Sequence, residues 1–435
     1  MKFPGPLNRR RGGANAAGSR VYAIFVWHGF FLALTKAALD LNTVFPALTS
    51  TLVDSKAVFG LLYSIMLGVP FVFNIFFGHY LHGRSRKKPY LILGIYLRAA
   101  AFLGMAAFTL FFAASSPFLV LASLFGWIFL FSISGGLAGL AYADLIGTLT
   151  SRGARGTLYA SKQLAASIAM LLGGALFGGL LSLEALPYPE NYALILCLGG
   201  VGLLIAAFAF WFIPEEARLP HEQARESFSR FLRDVPAIVR GHPDFLRFIL
   251  VGNLSSFSLM ILPFYMLFAV DSLGIGQEWV GRFLLVQVLG AVFSNFLWGY
   301  LSRRRDSRSV VRGCILLGAI IPLVALLLRP FGPGAFLVVF LMVGFVMSGR
   351  SVGFEPYLLD LAPEDQRTLF VGINGTLNFS MVLLPAIGGI LVDVLGYPVT
   401  FLAVVLFMAL AFALLRKPVE LPETDEQGGS PGPPG

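Results

Sequence analysis

The chain has 435 residues, 57% of them hydrophobic and 13% charged, with a formal net charge of +9 and a mean hydropathy of +0.79. Soluble domains carry about 25% charged residues, so a pair of soluble domains is excluded by composition even though the length would allow it. The positive charge lies on no soluble basic patch, so no nucleic-acid partner is expected.

In chain order, a basic segment over 1–20 carries Lys2, Arg9, Arg10, Arg11 and Arg20. The apolar stretch after it is too long for a signal peptide and has no small-residue cleavage site, so it is read as a retained span. A helix needs about 20 apolar residues to cross a bilayer. On that measure, spans are expected over 21–48, 57–82, 89–114, 117–147, 157–183 and 191–213. Six more follow over 245–270, 277–301, 309–329, 334–360, 367–394 and 397–416. The expected organisation is an N-terminal six-helix bundle over 21–213, a linker over 214–244 and a C-terminal six-helix bundle over 245–416. In the linker, Phe228, Phe231, Leu232, Val235, Ile238 and Val239 recur at helical spacing opposite Arg225, Arg230, Arg233 and Asp234. That pattern suits a helix lying on the membrane surface, or one that docks a partner. The tail over 417–435, acidic and ending in Pro-Gly-Pro-Pro-Gly, reads as disordered.

Positive charge is concentrated on one side. Arg84, Arg86, Lys87 and Lys88 lie between the second and third spans, and Arg303, Arg304, Arg305, Arg308 and Arg312 lie in the matching loop of the second half. The opposite loops hold mainly Lys56, Arg282 and Arg329. By the positive-inside rule both termini face the cytoplasm, as expected of a multi-pass protein of a bacterial inner (plasma) membrane. Cys197 and Cys314 lie inside spans in different halves and suggest neither a disulfide nor a metal site.

The two halves repeat. Asn74-Ile-Phe-Phe-Gly78 runs into the first basic cluster, and about half the chain later Asn295-Phe-Leu-Trp-Gly299 runs into the second. A second echo pairs Thr157-Leu158-Tyr159 with Thr368-Leu369-Phe370, each just after an Arg. Two six-helix halves, a basic loop after spans two and eight and a long central linker resemble the Major Facilitator Superfamily over roughly residues 20–416. The signature loop of that family is written G-x-x-x-D-R-x-G-R-R. Gly78, Arg86 and Lys87 match it here, whereas His82, Gly83 and Ser85 stand at the Asp, first Arg and second Gly positions. In the second half Gly299 and Arg304 match, with Arg303 at the Asp position. The resemblance implies an all-α membrane fold with a central cavity near the bilayer midplane and alternating access. It also implies a cytoplasmic gate, with candidates Gly78, Arg86, Lys87, Asp144, Gly299, Arg304 and Asp360; Asp144 is the obvious carboxylate for the basic loop.

In span five, Gly174-Ala-Leu-Phe-Gly178-Gly179 resembles the G-P-x-x-G-G kink of the family's antiporters, and span eleven holds Pro385-Ala-Ile-Gly388-Gly389. The other reading of both strings is ordinary small-residue helix packing. Asn74 and Asn295 occupy matching positions and suggest polar glue between helices.

Ionisable groups in mid-membrane cost roughly 2.5–3.5 kcal/mol or more and need a partner, water or a function. Lys36 and Asp40 are four apart in span one and thus on one helix face. They are read either as a protonatable carboxylate poised by its lysine or as a locked ion pair. Arg98, Arg350 and Glu355 complete the candidates for proton or substrate contact. His28 is read as a packed helix residue, and Ser132 stands where proton antiporters of the family usually place an Arg. Trp27, Trp127 and Tyr265 are candidates for an apolar substrate surface.

The leading expectation is a secondary transporter, with proton-coupled efflux of an apolar or amphipathic solute by antiport preferred. The alternative is a symporter importing a sugar, an organic acid or another polar metabolite, favoured if the cavity is lined by Asn, Gln and Arg350 rather than by aromatics. A non-transporting sensor or scaffold is the third reading. No catalytic constellation, cofactor motif or metal-ligand cluster is visible, so the chain is read as a monomeric non-enzyme whose partners are lipid, a small molecule and a coupling ion such as the proton.

Overall fold

A computed structural model of the chain describes residues 7–82, 84–150, 152–213, 215, 228–363, 367–378 and 380–416. Among the described residues there is no strand. The helices are α1 (Leu7–Ala38), α2 (Val44–Ser50), α3 (Lys56–His82), α4 (Lys88–Phe112), α5 (Pro117–Leu149), α6 (Arg152–Leu181) and α7 (Glu190–Phe208). They continue as α8 (Phe228–Gly241), α9 (Pro243–Ile261), α10 (Phe264–Leu273), α11 (Gln277–Arg304), α12 (Ser307–Leu328), α13 (Gly332–Leu361), α14 (Arg367–Leu377) and α15 (Ser380–Arg416). Ten described stretches are long and apolar enough to cross a membrane. The stretch Ser307–Leu361 is divided at Arg329–Phe331, and Met381–Leu415 is divided at Gly396, whose φ of 77° no side-chain-bearing residue adopts easily. Twelve crossings result, and an even number puts the two ends of the described chain on one side, called here the terminal face.

Local chemistry sets the helix ends. Pro117 and Pro243 open α5 and α9, where a missing N–H costs nothing. Asp306 accepts from the backbone N–H of Ser309 at 2.7 Å and caps α12. Pro263 follows Leu262 and separates α9 from α10 within span seven.

Span one is not one helix. α1 begins at Leu7, inside the basic segment, and ends at Ala38, while α2 starts at Val44. At the break the Asp40 carboxylate accepts from the backbone N–H of Asn42 at 3.0 Å and from the Thr43 hydroxyl at 2.9 Å. This local side-chain turn competes with the helix ladder. The uninterrupted helix expected over 21–48 is therefore corrected to two helices and a turn.

Each half packs by the same scheme. Span two lies on span four (α3 on α5), and span eight on span ten (α11 on α13); span three contacts spans four and six, and span nine contacts spans ten and twelve. The duplicated asparagines sit in corresponding places. Asn74 lies where α3 presses on Gly136 of α5, and Asn295 accepts from the Ser348 hydroxyl of α13 at 2.7 Å.

The basic loops also land in corresponding places. Lys88 donates to the carbonyls of Trp211 and Ile213, each at 2.8 Å, just past the end of α7. Arg308 and Arg312 donate to the carbonyl of Leu415 at the end of α15, at 2.6 and 3.3 Å. In each half a cation thus satisfies unpaired carbonyls at the end of the last helix. The Glu215 carboxylate accepts from the backbone N–H groups of Lys87 and Lys88. Asp144, the carboxylate expected to meet this loop, is exposed and makes no ion pair among the described residues, so that pairing is corrected.

The surface helix expected in the linker coincides with α8, which buries Val235 and Val239 and exposes Arg240. Arg225 and the side chains of Phe228, Arg230, Phe231, Leu232, Arg233 and Asp234 lie outside the described residues, as does the 417–435 tail.

Candidate functional site

The halves meet through α3 and α15, α6 and α11, and α2 with α10 and α11. These contacts concentrate on the side opposite the termini, the far face, because they use small residues at the far ends of the helices. A Cβ on Gly281 would fall 2.0 Å from the Cα of Gly178, so α6 and α11 touch backbone to backbone there. Gly174 faces Leu285 in the same seam. A Cβ on Gly60 would come 2.2 Å from the carbonyl oxygen of Pro385, and one on Gly389 would come 2.1 Å from that of Lys56. Gly388 packs on Met260, and Gly179 meets open space. Of the expected kink residues, then, Gly174, Gly178, Pro385 and Gly389 form the seam between halves, Gly388 packs within its own half, and Gly179 does neither.

Polar contacts seal the same face. Lys56 pairs with Asp271 at 2.8 Å, and Tyr397 donates to Asp271 at 2.8 Å. Asp393 accepts from the Ser55 hydroxyl and from the backbone N–H groups of Lys56 and Ala57, at 2.8–2.9 Å. The Ser64 hydroxyl accepts from the backbone N–H of Ala386 at 3.0 Å, and Asn191 donates to Gln277. On the terminal face the gate candidates Gly78, Arg86, Lys87, Asp144, Gly299, Arg304 and Asp360 form no hydrogen bond or ion pair across the halves among the described residues. Arg304 lies over its own helix neighbour Tyr300. The side chain of His82 is outside the described residues.

Between the seal and the terminal face lies a cavity of about 230 Å³. Its walls carry the polar side chains of Asp40, Gln163, Ser167, Gln287, Asn295, Ser348 and Ser351, set among Ala166, Met170, Val288, Ala291, Val292 and Met347. These come from span one, α6, α11 and α13. Asp40 is buried at 7% exposure and bridges the halves, since Gln287 donates to its two oxygens at 3.3 and 3.2 Å. Asn42 reaches the Met347 sulfur at 3.0 Å. None of Trp27, Trp127 and Tyr265 lines the cavity. Trp27 donates to the carbonyl of Ile205, Trp127 packs on Gly104 and Tyr265 is buried against Phe401.

The other candidates separate from Asp40. No ion pair joins Lys36 to Asp40, because the chain leaves the helix at Ala38 and the four-residue spacing no longer places them on one face. That expected pair is corrected. Lys36 is surrounded by protein atoms yet keeps more than a third of its surface open, as a side chain facing an internal space does. The Arg98 guanidinium lies 4.2 Å from the ring centre of Phe131, and its Nε has no hydrogen-bond partner. Arg350 donates to the carbonyl and hydroxyl of Ser255 at 3.3 and 3.2 Å and lies 4.3 Å from the Phe354 ring. Glu355 is exposed toward the terminal end of α13. His28 is boxed by Tyr142 and Phe210, each 4.9 Å away, and its Nδ1 has no partner. Ser132 spends its hydroxyl on the carbonyl of Met66.

Gln287, Gln163 and Lys162 escaped the sequence reading. A Gln inside an apolar span is the available signal for the first two. Lys162 lay near a span boundary, where a basic residue reads as a topology marker.

The family model described as Major Facilitator Superfamily matches residues 26–349 and 248–434. Among solved structures, the nucleoside transporter NupG superposes with a TM-score of 0.69 at 14% identity, covering 91% of this chain and 100% of that one. The D-xylose-proton symporter gives 0.68 at 14% identity over 92% and 97%. A bacterial homologue of the iron transporter ferroportin, in its inward-facing state, gives 0.69 at 15% identity over 91% and 98%. Identities this low speak for the fold alone. A stretch of 167 residues is 29% identical to Autophagy-related protein 22-1 of Aspergillus niger, spanning 34% of this chain and 27% of that protein.

Proposed function

Because the chain belongs to the Major Facilitator Superfamily, and so is a secondary transporter of that type in a membrane it crosses many times, we propose that it carries a small polar solute by alternating access. The supporting observation is the cavity wall. Amides, hydroxyls and one carboxylate line it among small aliphatic residues and two methionines, and no aromatic side chain does; the convergent polar groups favour a polar metabolite over a purely apolar compound. A few convergent polar groups in a concave site orient a ligand and supply specificity.

Asp40 is the only carboxylate among the described residues that lines the cavity. It bridges the halves through Gln287, so taking up a proton would weaken a contact that holds them together. In our reading Asp40 is the coupling group, and the direction of transport follows the gradient it senses. The protein sits in the plasma membrane, that of a bacterium's inner membrane, with its termini in the cytoplasm; the cavity here is then sealed from outside.

The test is flux of labelled polar solutes into proteoliposomes under an imposed pH gradient. Wild type is expected to accumulate at least one sugar, organic acid or amino acid, and Gln287→Leu to lose about tenfold or more of that rate, as expected for a lost hydrogen bond to a charged group. Transport confined to apolar dyes, with Gln287→Leu unchanged, would sink the proposal.

A further inference from the structure

Three cations of the N-terminal half lack an anionic partner. Lys36 on α1, Arg98 on α4 and Lys162 on α6 make no hydrogen bond or ion pair among the described residues. Lys162 lies along Gly29 of α1, its carbons about 3.6 Å from where a Cβ would sit there, and its ammonium is 4.5 Å from the ring centre of Tyr142. Arg98 crosses α5 between Phe131 and Gly135. Lys36 sits two turns beyond Gly29 on α1. It lies within electrostatic reach of Arg98, and Lys162 lies within reach of Lys36. Lys36 thus feels the repulsion of Arg98, and Lys162 that of Lys36.

Two of the three neighbour cavity residues along the chain: Lys162 precedes Gln163, which lines the wall, and Lys36 precedes the turn that places Asp40 there. Asp40 makes no ion pair with any of the three among the described residues; its oxygens accept from Asn42, Thr43 and Gln287 instead. Like charges gathered in a low-dielectric interior are costly, and an arriving counter-charge lowers that cost. The open surface of Lys36 and the unpartnered Nε of Arg98 leave donors free to meet one.

We propose that Lys36, Arg98 and Lys162 form an anion subsite that holds a carboxylate or phosphate group of the transported solute. The inference rests on the polar-cavity reading and narrows it from polar solutes to anionic or zwitterionic ones. The anion screens the repulsion between these cations and draws α1, α4 and α6 together, so solute binding and N-terminal bundle geometry are linked.

The experiment is thermal unfolding of the purified full-length protein at constant ionic strength. Succinate, benzoate and inorganic phosphate are titrated in parallel with the neutral succinamide and benzamide, since binding to the folded state raises Tm by mass action. At least one anion is expected to raise Tm saturably while the amides do not. Its half-saturation should rise about tenfold in Lys36→Gln and in Arg98→Gln, the scale of a lost charge-assisted contact, and stay near wild type in Lys36→Arg. A carboxylate preference over phosphate, or the reverse, identifies which group the site takes. Equal stabilisation by acid and amide, none by any anion, or unchanged half-saturation in both Gln variants overturns the proposal. Gln287-dependent flux of a neutral polar solute, unaffected by Lys36→Gln and Arg98→Gln, would overturn the anion subsite while leaving the polar-cavity reading standing.

Discussion

Lys36 and Asp40 show how far single residues could be read. Their presence in an apolar span marked them as groups in need of a role, and both lie where the halves face each other or an internal space. Their partners were not legible, because the spacing argument assumes an unbroken helix and Asp40 itself provides the turn that ends it. Gln287 was invisible as a partner for Asp40, since 247 residues separate them. With Gln287 donating to both carboxylate oxygens, Asp40→Asn removes the charge and leaves an amide facing an amide. That variant is expected to lose pH-gradient-driven accumulation in proteoliposomes while retaining exchange down a concentration gradient; gradient-driven uptake at the wild-type level would remove Asp40 from the coupling role. At the seam, Gly281→Val puts a side chain where the backbone of Gly178 already stands. It should hold the far face apart, seen as faster labelling of a cysteine placed at Gly174 than in the parent; equal labelling would show that the seam tolerates bulk.

At the scale of elements, hydropathy was enough to find the spans because a bilayer fixes their length and a helix satisfies its own backbone there. It could not find the interruptions at 39–43 and after Leu262, which arise from local hydrogen bonding and a proline. The basic strings were legible as a repeat and as a topology signal, but not as helix caps. What they cap lies at the far end of each half in sequence: α7 for Lys88, α15 for Arg308 and Arg312. A cation at an exposed helix end contributes up to about 1 kcal/mol. Lys88→Met is therefore expected to lower Tm by about one degree, the scale for a chain of this length, without changing transport specificity. No change in Tm would mean that water replaces the ammonium at these carbonyls without loss.

For the whole molecule, duplication and composition pointed to two six-helix bundles, and the family match agrees. Which face is closed was not legible, because it depends on contacts between halves rather than on any span. Here the closed face is built from glycine seams and from the Lys56–Asp271–Tyr397 and Asp393 contacts. Lys56→Gln removes the ion pair and should shift the population toward far-face opening, read as increased solvent accessibility of a label near Ser64. The central claim, that solute passes through the cavity by opening this face, is tested most directly by locking it. Ser64→Cys with Ala386→Cys, in a background lacking Cys197 and Cys314, puts one thiol where the Ser64 hydroxyl now meets the Ala386 backbone N–H at 3.0 Å and the second on Ala386 itself. Oxidation is expected to abolish polar-solute flux in proteoliposomes, and reduction to restore it. Flux that continues unchanged with the disulfide formed would contradict the claim.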